Sequence, residues 1–281
     1  MFKHSVLALA LLASCGSAVA VECKAVFGDG QQQFILATGS PGELGLLEQL
    51  AVTFGKQHDA NMCWVKAGSG KSLKMLSEDK VDMVMVHAPA AEQQAIDAGW
   101  ATQHTLIGAN EFYLVGPAAD NGDIKSANSV AEAYANIAAN QAPFYSRGDN
   151  SGTHKKELAI WQSAKITPSG DWYRTTNDFM RASLKLADAN HGYFMTDSST
   201  YVATHKQLKN SQVLFKGDPV LINTYHALRD TDLSRNGVQL SQQFIEFVAS
   251  AEGQQILTDF GKKEHGAAMY ENAKAAEKYL H

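Results

Sequence analysis

The densest grouping of residues able to grip a small charged molecule is Phe144-Tyr145-Ser146-Arg147-Gly148-Asp149-Asn150-Ser151-Gly152-Thr153-His154-Lys155-Lys156-Glu157. Arg147 brings a planar fork of N–H donors, and Ser151 and Thr153 bring hydroxyls. Gly148, Asn150 and Gly152 permit a tight bend, and Leu158 and Trp161 begin an apolar stripe at helical spacing. The stretch predicts a strand ending at Phe144 and Tyr145, a turn, and a helix whose N-cap is Ser151 or Asn150. The first turn of such a helix offers unpaired N–H groups and the positive end of the dipole, which suits a tetrahedral oxyanion or a carboxylate. Lys155 and Lys156 stand where that dipole disfavours cations, a cost of ~0.3 to 1 kcal/mol each when exposed. Either they raise the potential around a bound anion or, more simply, they are solvated and balanced by Glu157 and Asp149.

The same device recurs upstream. The apolar run Gln33 to Ala37 leads through Thr38-Gly39-Ser40-Pro41-Gly42 into a stripe of Leu44, Leu47, Leu50, Ala51 and Phe54. Asn61 to Ala67 leads through Gly68-Ser69-Gly70-Lys71-Ser72 into a helix carrying Leu73 and Leu76. Gly70-Lys71-Ser72 matches the end of a nucleotide-binding P-loop, but Val65 stands where the first glycine belongs. Nor is Gly148-Asp149-Asn150-Ser151-Gly152 a hydrolase elbow, since its serine comes one position late. An enzyme such as a phosphatase needs a nucleophile beside a base or a metal pair, and His154 after Thr153 is the one suggestive neighbour; no catalytic residue is assigned.

These loops need elements to hold them. Val81 to Pro89 reads as a buried parallel strand with His87 as a structural or rim residue at its end, and Glu92 to Gly99 as a helix. Glu111 to Pro117 is a strand and Ser129 to Asn140 an alanine-rich helix. Trp172 to Met180 leads into a helix through Leu184 and Ala187; the strand His191 to Thr196 then runs into a short helix capped by Asp197 to Thr200. Val213 to Phe215 and Val220 to Tyr225 are strands, Gln242 to Phe260 is one long amphipathic helix, and the polar tail from Glu264 is expected to be partly loose. Repeated β-then-α order predicts an α/β fold with parallel sheet.

A net charge of −5 on 281 residues, with no basic block, argues against nucleic acid as a partner, so any anion site is local. Met1 to His4 is a basic head, Ser5 to Ala13 an apolar stretch and Ala18-Val19-Ala20 a small-residue cleavage site, which predicts a signal peptide over residues 1–20 and export. The competing reading is lipid attachment at Cys15 after Leu12-Ala13-Ser14. In an oxidising compartment the remaining Cys23 and Cys63 are expected to form a disulfide, the alternative being two buried thiols. The histidines show no zinc-type spacing, so neither a metal nor another cofactor is expected.

Ala142 to Glu157 resembles the signature loop of the tungstate-binding proteins that serve bacterial ABC uptake transporters, and more distantly the loop of periplasmic phosphate-binding proteins. Gly68 to Leu73, Val81 to Pro89, Phe112 to Pro117 and Gly192 to Asp197 resemble their counterparts in the same order, and Phe244 to Gln255 resembles the closing helix of many solute-binding proteins. The resemblance implies a type II periplasmic solute-binding fold: two α/β lobes of mostly parallel sheet flanked by helices, 21–113 with 218–281 and 114–217, joined by a two-strand hinge near Glu111 to Pro117 and Leu214 to Tyr225. It implies that Thr38, Ser40, Ser69, Arg147, Ser151, Gly152 and Thr153 line the ligand, with Gly39, Gly70, Asp149 and Asn177 as outlying members. It also implies a periplasmic monomer that passes a small oxyanion to a membrane permease. Asp149 matches a carboxylate that accepts a proton from the ligand in the phosphate-binding relatives. The sequence departs from the family at Ala37 to Ser40, at Leu44, and at Asn177 to Phe179, where Asp178 would oppose a dianion unless Arg174 or Arg181 neutralises it. Phosphate, molybdate, a small carboxylate or a zwitterion therefore stand as alternative ligands, and a sensor module on the same fold as an alternative role.

Overall fold

The computed structural model describes residues 21–280; the signal-peptide and Cys15 readings fall outside them. The chain begins with β1 (Ala25–Phe27), β2 (Gln32–Thr38), α1 (Ser40–Glu43), α2 (Leu46–His58), β3 (Ala60–Lys66), α3 (Ser69–Ser77), β4 (Met83–Val86) and α4 (Pro89–Asp97). Then β5 (Ala101–Pro117) runs far longer than expected, because its first half pairs with a later strand. There follow α5 (Val130–Ala139), β6 (Phe144–Ser146), α6 (Gly152–Ser163), β7 (Tyr173–Thr175), α7 (Met180–Ala189), β8 (Tyr193–Asp197), α8 (Ser198–Thr204) and β9 (Ser211–Phe215). The chain closes with β10 (Ile222–Asp230), α9 (Asn236–Ala249), α10 (Ala251–Asp259), α11 (Lys262–His265), β11 (Glu271–Asn272) and α12 (Ala273–Ala276). No helix among the described residues is long and apolar enough to cross a membrane.

The sheet is mixed. β2 pairs in parallel with β3 and β4, and β6 in parallel with β7 and β8. β5 is antiparallel to β10 through one half and to β8 and β9 through the other, so it links the two parallel ladders. Each ladder has its own apolar interior. Phe34 of β2 packs edge-on and tilted against Phe54 and Phe244, and Phe54 against Phe247, with Leu47 and Leu50 of α2 fully buried beside them. Tyr134, Phe144 and Trp161 form the second interior among residues running from Phe112 to Leu221. Each such side chain contributes roughly 1.5–3 kcal/mol by leaving water.

Three expectations need correction. Leu44 does not open the second helix: it ends α1, and Gly45 at φ 97° separates it from α2. The long closing helix is broken, because Ser250 adopts an extended backbone and its hydroxyl caps α10 by accepting the Gly253 amide at 3.3 Å. The tail is not loose: Met269, Tyr270 and Ala276 are buried, and β11 pairs with β5.

Cys23 and Cys63 form the expected disulfide, closing a sequence separation of 40 and tying the start of the chain to β3. Replacing both by alanine is expected to lower stability by about 2 to 4 kcal/mol, measured by denaturant melts beside reduced and oxidised wild type. Glu157 also departs from expectation, for instead of balancing the lysines it is buried, accepting hydrogen bonds from Tyr173 at 2.7 Å and Trp161 at 3.2 Å. Burial pushes its carboxyl up to about 7, against the lowering effect of those bonds. The folded chain thus holds this proton more tightly than the unfolded one, so the stability it contributes is complete below about pH 4.5 and is lost as pH rises to about 7. Melts across that window are expected to fall less steeply for Glu157→Gln than for wild type.

Candidate functional site

Ser146 ends β6, and positive φ at Gly148 (65°) and Asn150 (57°) turns the chain into α6. Ser151 is the N-cap, its hydroxyl accepting the His154 amide at 3.2 Å. Asp149 accepts the Ser151 amide at 3.1 Å through one oxygen and pairs with Arg147 through the other. The Arg147 Nε donates to the Asp178 carbonyl at 3.1 Å, and its guanidinium stacks on Phe179. Arg147, Ser151 and Thr153 are all buried, at 4%, 1% and 1% exposure, so none is a solvated surface group. The Thr153 hydroxyl has no hydrogen-bond partner. Four other buried hydroxyls among the described residues are likewise unpaired, and Thr153 is set apart by its place in the first turn of α6, in the loop of Arg147.

The other glycine turns meet this loop. A Cβ on Gly68 would lie 2.9 Å from Ser151 Cβ, and one on Gly70 would lie 2.5 Å from the Asn150 carbonyl oxygen, so the start of α3 packs directly on the start of α6. Ser69, buried at the first position of α3, accepts the His87 amide at 3.2 Å. Gly152 faces the His87 ring so closely that a Cβ there would come within 2.6 Å of it. Thr38 donates to the Met85 carbonyl at 2.8 Å, and Gly39 approaches the Ala67 carbonyl. Ser40 reaches across to Asp197, the N-cap of α8, at 3.4 Å. Asn177 stands against Gly148 and donates its amide to the Arg147 carbonyl at 2.9 Å. The turns after β2, β3 and β6 are therefore brought together, with Asn177 beside Gly148. Ser40 and Thr38 already spend hydroxyl protons on protein acceptors, whereas Thr153 does not.

Sequence reasoning placed His87 at a strand end but missed its support. Ser199 donates to the Met269 carbonyl at 2.8 Å, which can only accept; Asn110 donates to Ser199 at 2.7 Å, Asn223 to Asn110 at 2.7 Å, and His87 Nδ1 to Asn223 at 2.9 Å. This ordered relay puts the proton on Nδ1, and burial, opposed by the bond to Asn223, lowers the ring to about 4, so His87 is neutral near pH 7. Asp178 does not threaten an anion as expected: its residue is exposed, its carboxylate takes the Phe179 amide at 2.7 Å, and only its backbone carbonyl touches Arg147. Arg174 is engaged elsewhere, with Tyr145 at 2.9 Å. His154 accepts the Asn150 amide on Nδ1 at 3.0 Å and so shapes the turn rather than activating a nucleophile. Lys156 donates to the Val220 carbonyl at 2.9 Å, and burial lowers its pKa. A groove of about 590 Å³ between α2 and α10 contains Glu48 and Glu264 and offers no comparable set of anion donors.

Comparison with known proteins agrees with this architecture. A family model described as a PBP superfamily domain matches residues 25–252. The tungstate-binding protein TupA of Peptoclostridium acidaminophilum is 32% identical over 272 residues, covering 95% of each chain. The crystal structure described as the tungstate ABC transporter from Geobacter sulfurreducens superposes with a TM-score of 0.74 at 31% identity, over 83% of this chain and 100% of that one. The tungstate-binding protein TupA from Desulfovibrio alaskensis G20 superposes with a TM-score of 0.69 at 35% identity, over 86% and 98%. With identity of this degree spread along nearly the whole length, the chain belongs to the PBP superfamily and, within it, to the tungstate-binding proteins.

Proposed function

We propose that this protein is an extracytoplasmic solute-binding protein that captures tungstate, or a tetrahedral oxyanion close to it, and delivers it to the membrane permease of an ABC transporter. The carrying observation is the buried, unpartnered Thr153 hydroxyl at the first turn of α6, in the same loop as the buried Arg147. Ser69, Ser151, Gly152 and Thr153 with Arg147 form the proposed ligand set, joined by Thr38 and Ser40 when their hydroxyls turn from Met85 and Asp197, and Gly39, Gly70, Asp149 and Asn177 shape it. Each Asp149 oxygen accepts one hydrogen bond from the protein, which fixes the carboxylate beside Arg147 and Ser151. Donors prearranged in this way replace the ligand's water shell at little reorganisation cost.

The proposed lobes are 21–113 with 218–281 and 114–217. The contacts Gly68 to Ser151, Ser40 to Asp197, and Lys66 over the Phe179 ring at 4.1 Å would then part when the protein opens. The role is binding rather than catalysis, the compartment is the periplasm after removal of residues 1–20, and the protein acts as a monomer.

Calorimetry on the mature chain is expected to show one tungstate bound per chain, more tightly than molybdate, sulfate or phosphate. Arg147→Ala should weaken tungstate by roughly 10- to 100-fold, since it removes a charge-assisted donor. Unchanged affinity in that variant would overturn the assignment. Thr153→Val separates binding from folding. Because the hydroxyl has no protein partner, ligand-free melting should be unchanged or slightly raised, while tungstate affinity drops.

A further inference from the structure

We propose that Glu92, His104 and His226 form a site for a divalent transition-metal ion such as zinc, separate from the anion-binding loops. The three side chains come from α4, β5 and β10, and their candidate ligand atoms all lie within 4.8 Å of one another. Glu92 Oε2 is 2.9 Å from His104 Nε2 and 2.9 Å from His226 Nδ1, and the two rings are 4.2 Å apart. Glu92 and His226 are buried, at 0% and 4%, whereas the His104 side chain is 31% exposed, which gives the cluster one face toward water.

Pairing of Glu92 with His104 accounts for one side of this geometry and leaves the His226 side over. His226 Nδ1 is buried and 2.9 Å from the carboxylate, yet it makes no well-aligned hydrogen bond to it. His104 Nε2 is hydrogen-bonded to Glu92 Oε2, so a shared cation would replace that one bond while giving the buried His226 nitrogen the partner it lacks. Both imidazoles can ligate in their neutral form. In a tetrahedral zinc site with bonds of about 2.0–2.1 Å, neighbouring donors sit roughly 3.3 Å apart, against 2.9 Å here from Glu92 Oε2 to each nitrogen. Two nitrogens and one carboxylate oxygen suit zinc or a neighbouring first-row ion, and the solvent face would leave the fourth position to water.

The surroundings are built to hold these ligands. Glu92 Oε1 accepts the Ala88 amide at 2.6 Å, which fixes the carboxylate plane and leaves Oε2 for the cluster. The β10–β5 ladder shifts register between Tyr225 and His226, and Gln103, beside His104, has a φ of 56°. Both irregularities lie beside the histidines, where a bulge can re-aim a side chain.

Equilibrium dialysis of the chelator-stripped mature chain against zinc chloride, without tungstate, is expected to give one zinc per chain and a raised melting temperature. Cobalt(II) should give the visible d–d absorption of a low-symmetry protein site. His104→Ala and His104→Gln alter a partly exposed side chain and should keep the wild-type circular dichroism, but lose the cobalt band and weaken zinc by at least about 100-fold. Absence of stoichiometric zinc in the wild type overturns the proposal, and so does zinc or cobalt binding that survives in both variants. Tungstate affinity measured on the same variants keeps this test separate from that of the anion site.

Discussion

Everything at the site depends on main chain meeting main chain where Gly68 and Gly70 face Asn150 and Ser151. Any side chain at those glycines would hold the two loops apart by the width of a methyl group, and the helix starts behind them would no longer point at one place. That contact joins a turn following β3 to a turn following β6, from ladders with separate apolar interiors. The remaining features of the site serve to keep these two turns rigid until they touch. Ser69 is fixed by the His87 amide, Ser151 by that of His154, and Asp149 clamps both Arg147 and Ser151.

Electrostatics then works locally. A chain of net charge −5 cannot attract anions with its whole surface, so the positive potential must come from a few fixed groups in a water-poor place. Arg147 supplies fixed N–H donors there: Asp149, which offsets its charge, and the Asp178 carbonyl hold it in position, and the Phe179 ring lies beside it. The neutral His87 beside Gly152 fits the same scheme, since it adds packing without adding charge.

The glycine loops, their order along the chain and the cap at Ser151 were legible in the sequence because turn chemistry is local: glycine, serine and threonine ahead of an apolar stripe mean the same thing wherever they occur. The orientation of Glu157 was not, since its partners Tyr173 and Trp161 are brought together only by packing. The break at Ser250 was hidden because the apolar pattern of Phe244 to Leu257 continues across it, although a serine three residues before Gly253 is a local sign of a cap. Burial of Met269 and Tyr270 follows from a short pairing with β5 that no local pattern announces. The Glu92, His104 and His226 cluster was equally invisible, because its members share no motif spacing and meet only through the β5–β10 pairing and the placement of α4.

The relay that ends at Met269 gives the last part of the chain a duty its polar composition conceals. A carbonyl near the C-terminus dictates, through Ser199, Asn110 and Asn223, which nitrogen of a distant imidazole is bare. Trimming the chain before that carbonyl would free the hydroxyl of Ser199 to rotate and would also strip Tyr270 from Tyr225, the ring that stacks on His87. The compass needle at His87 would then be free to swing.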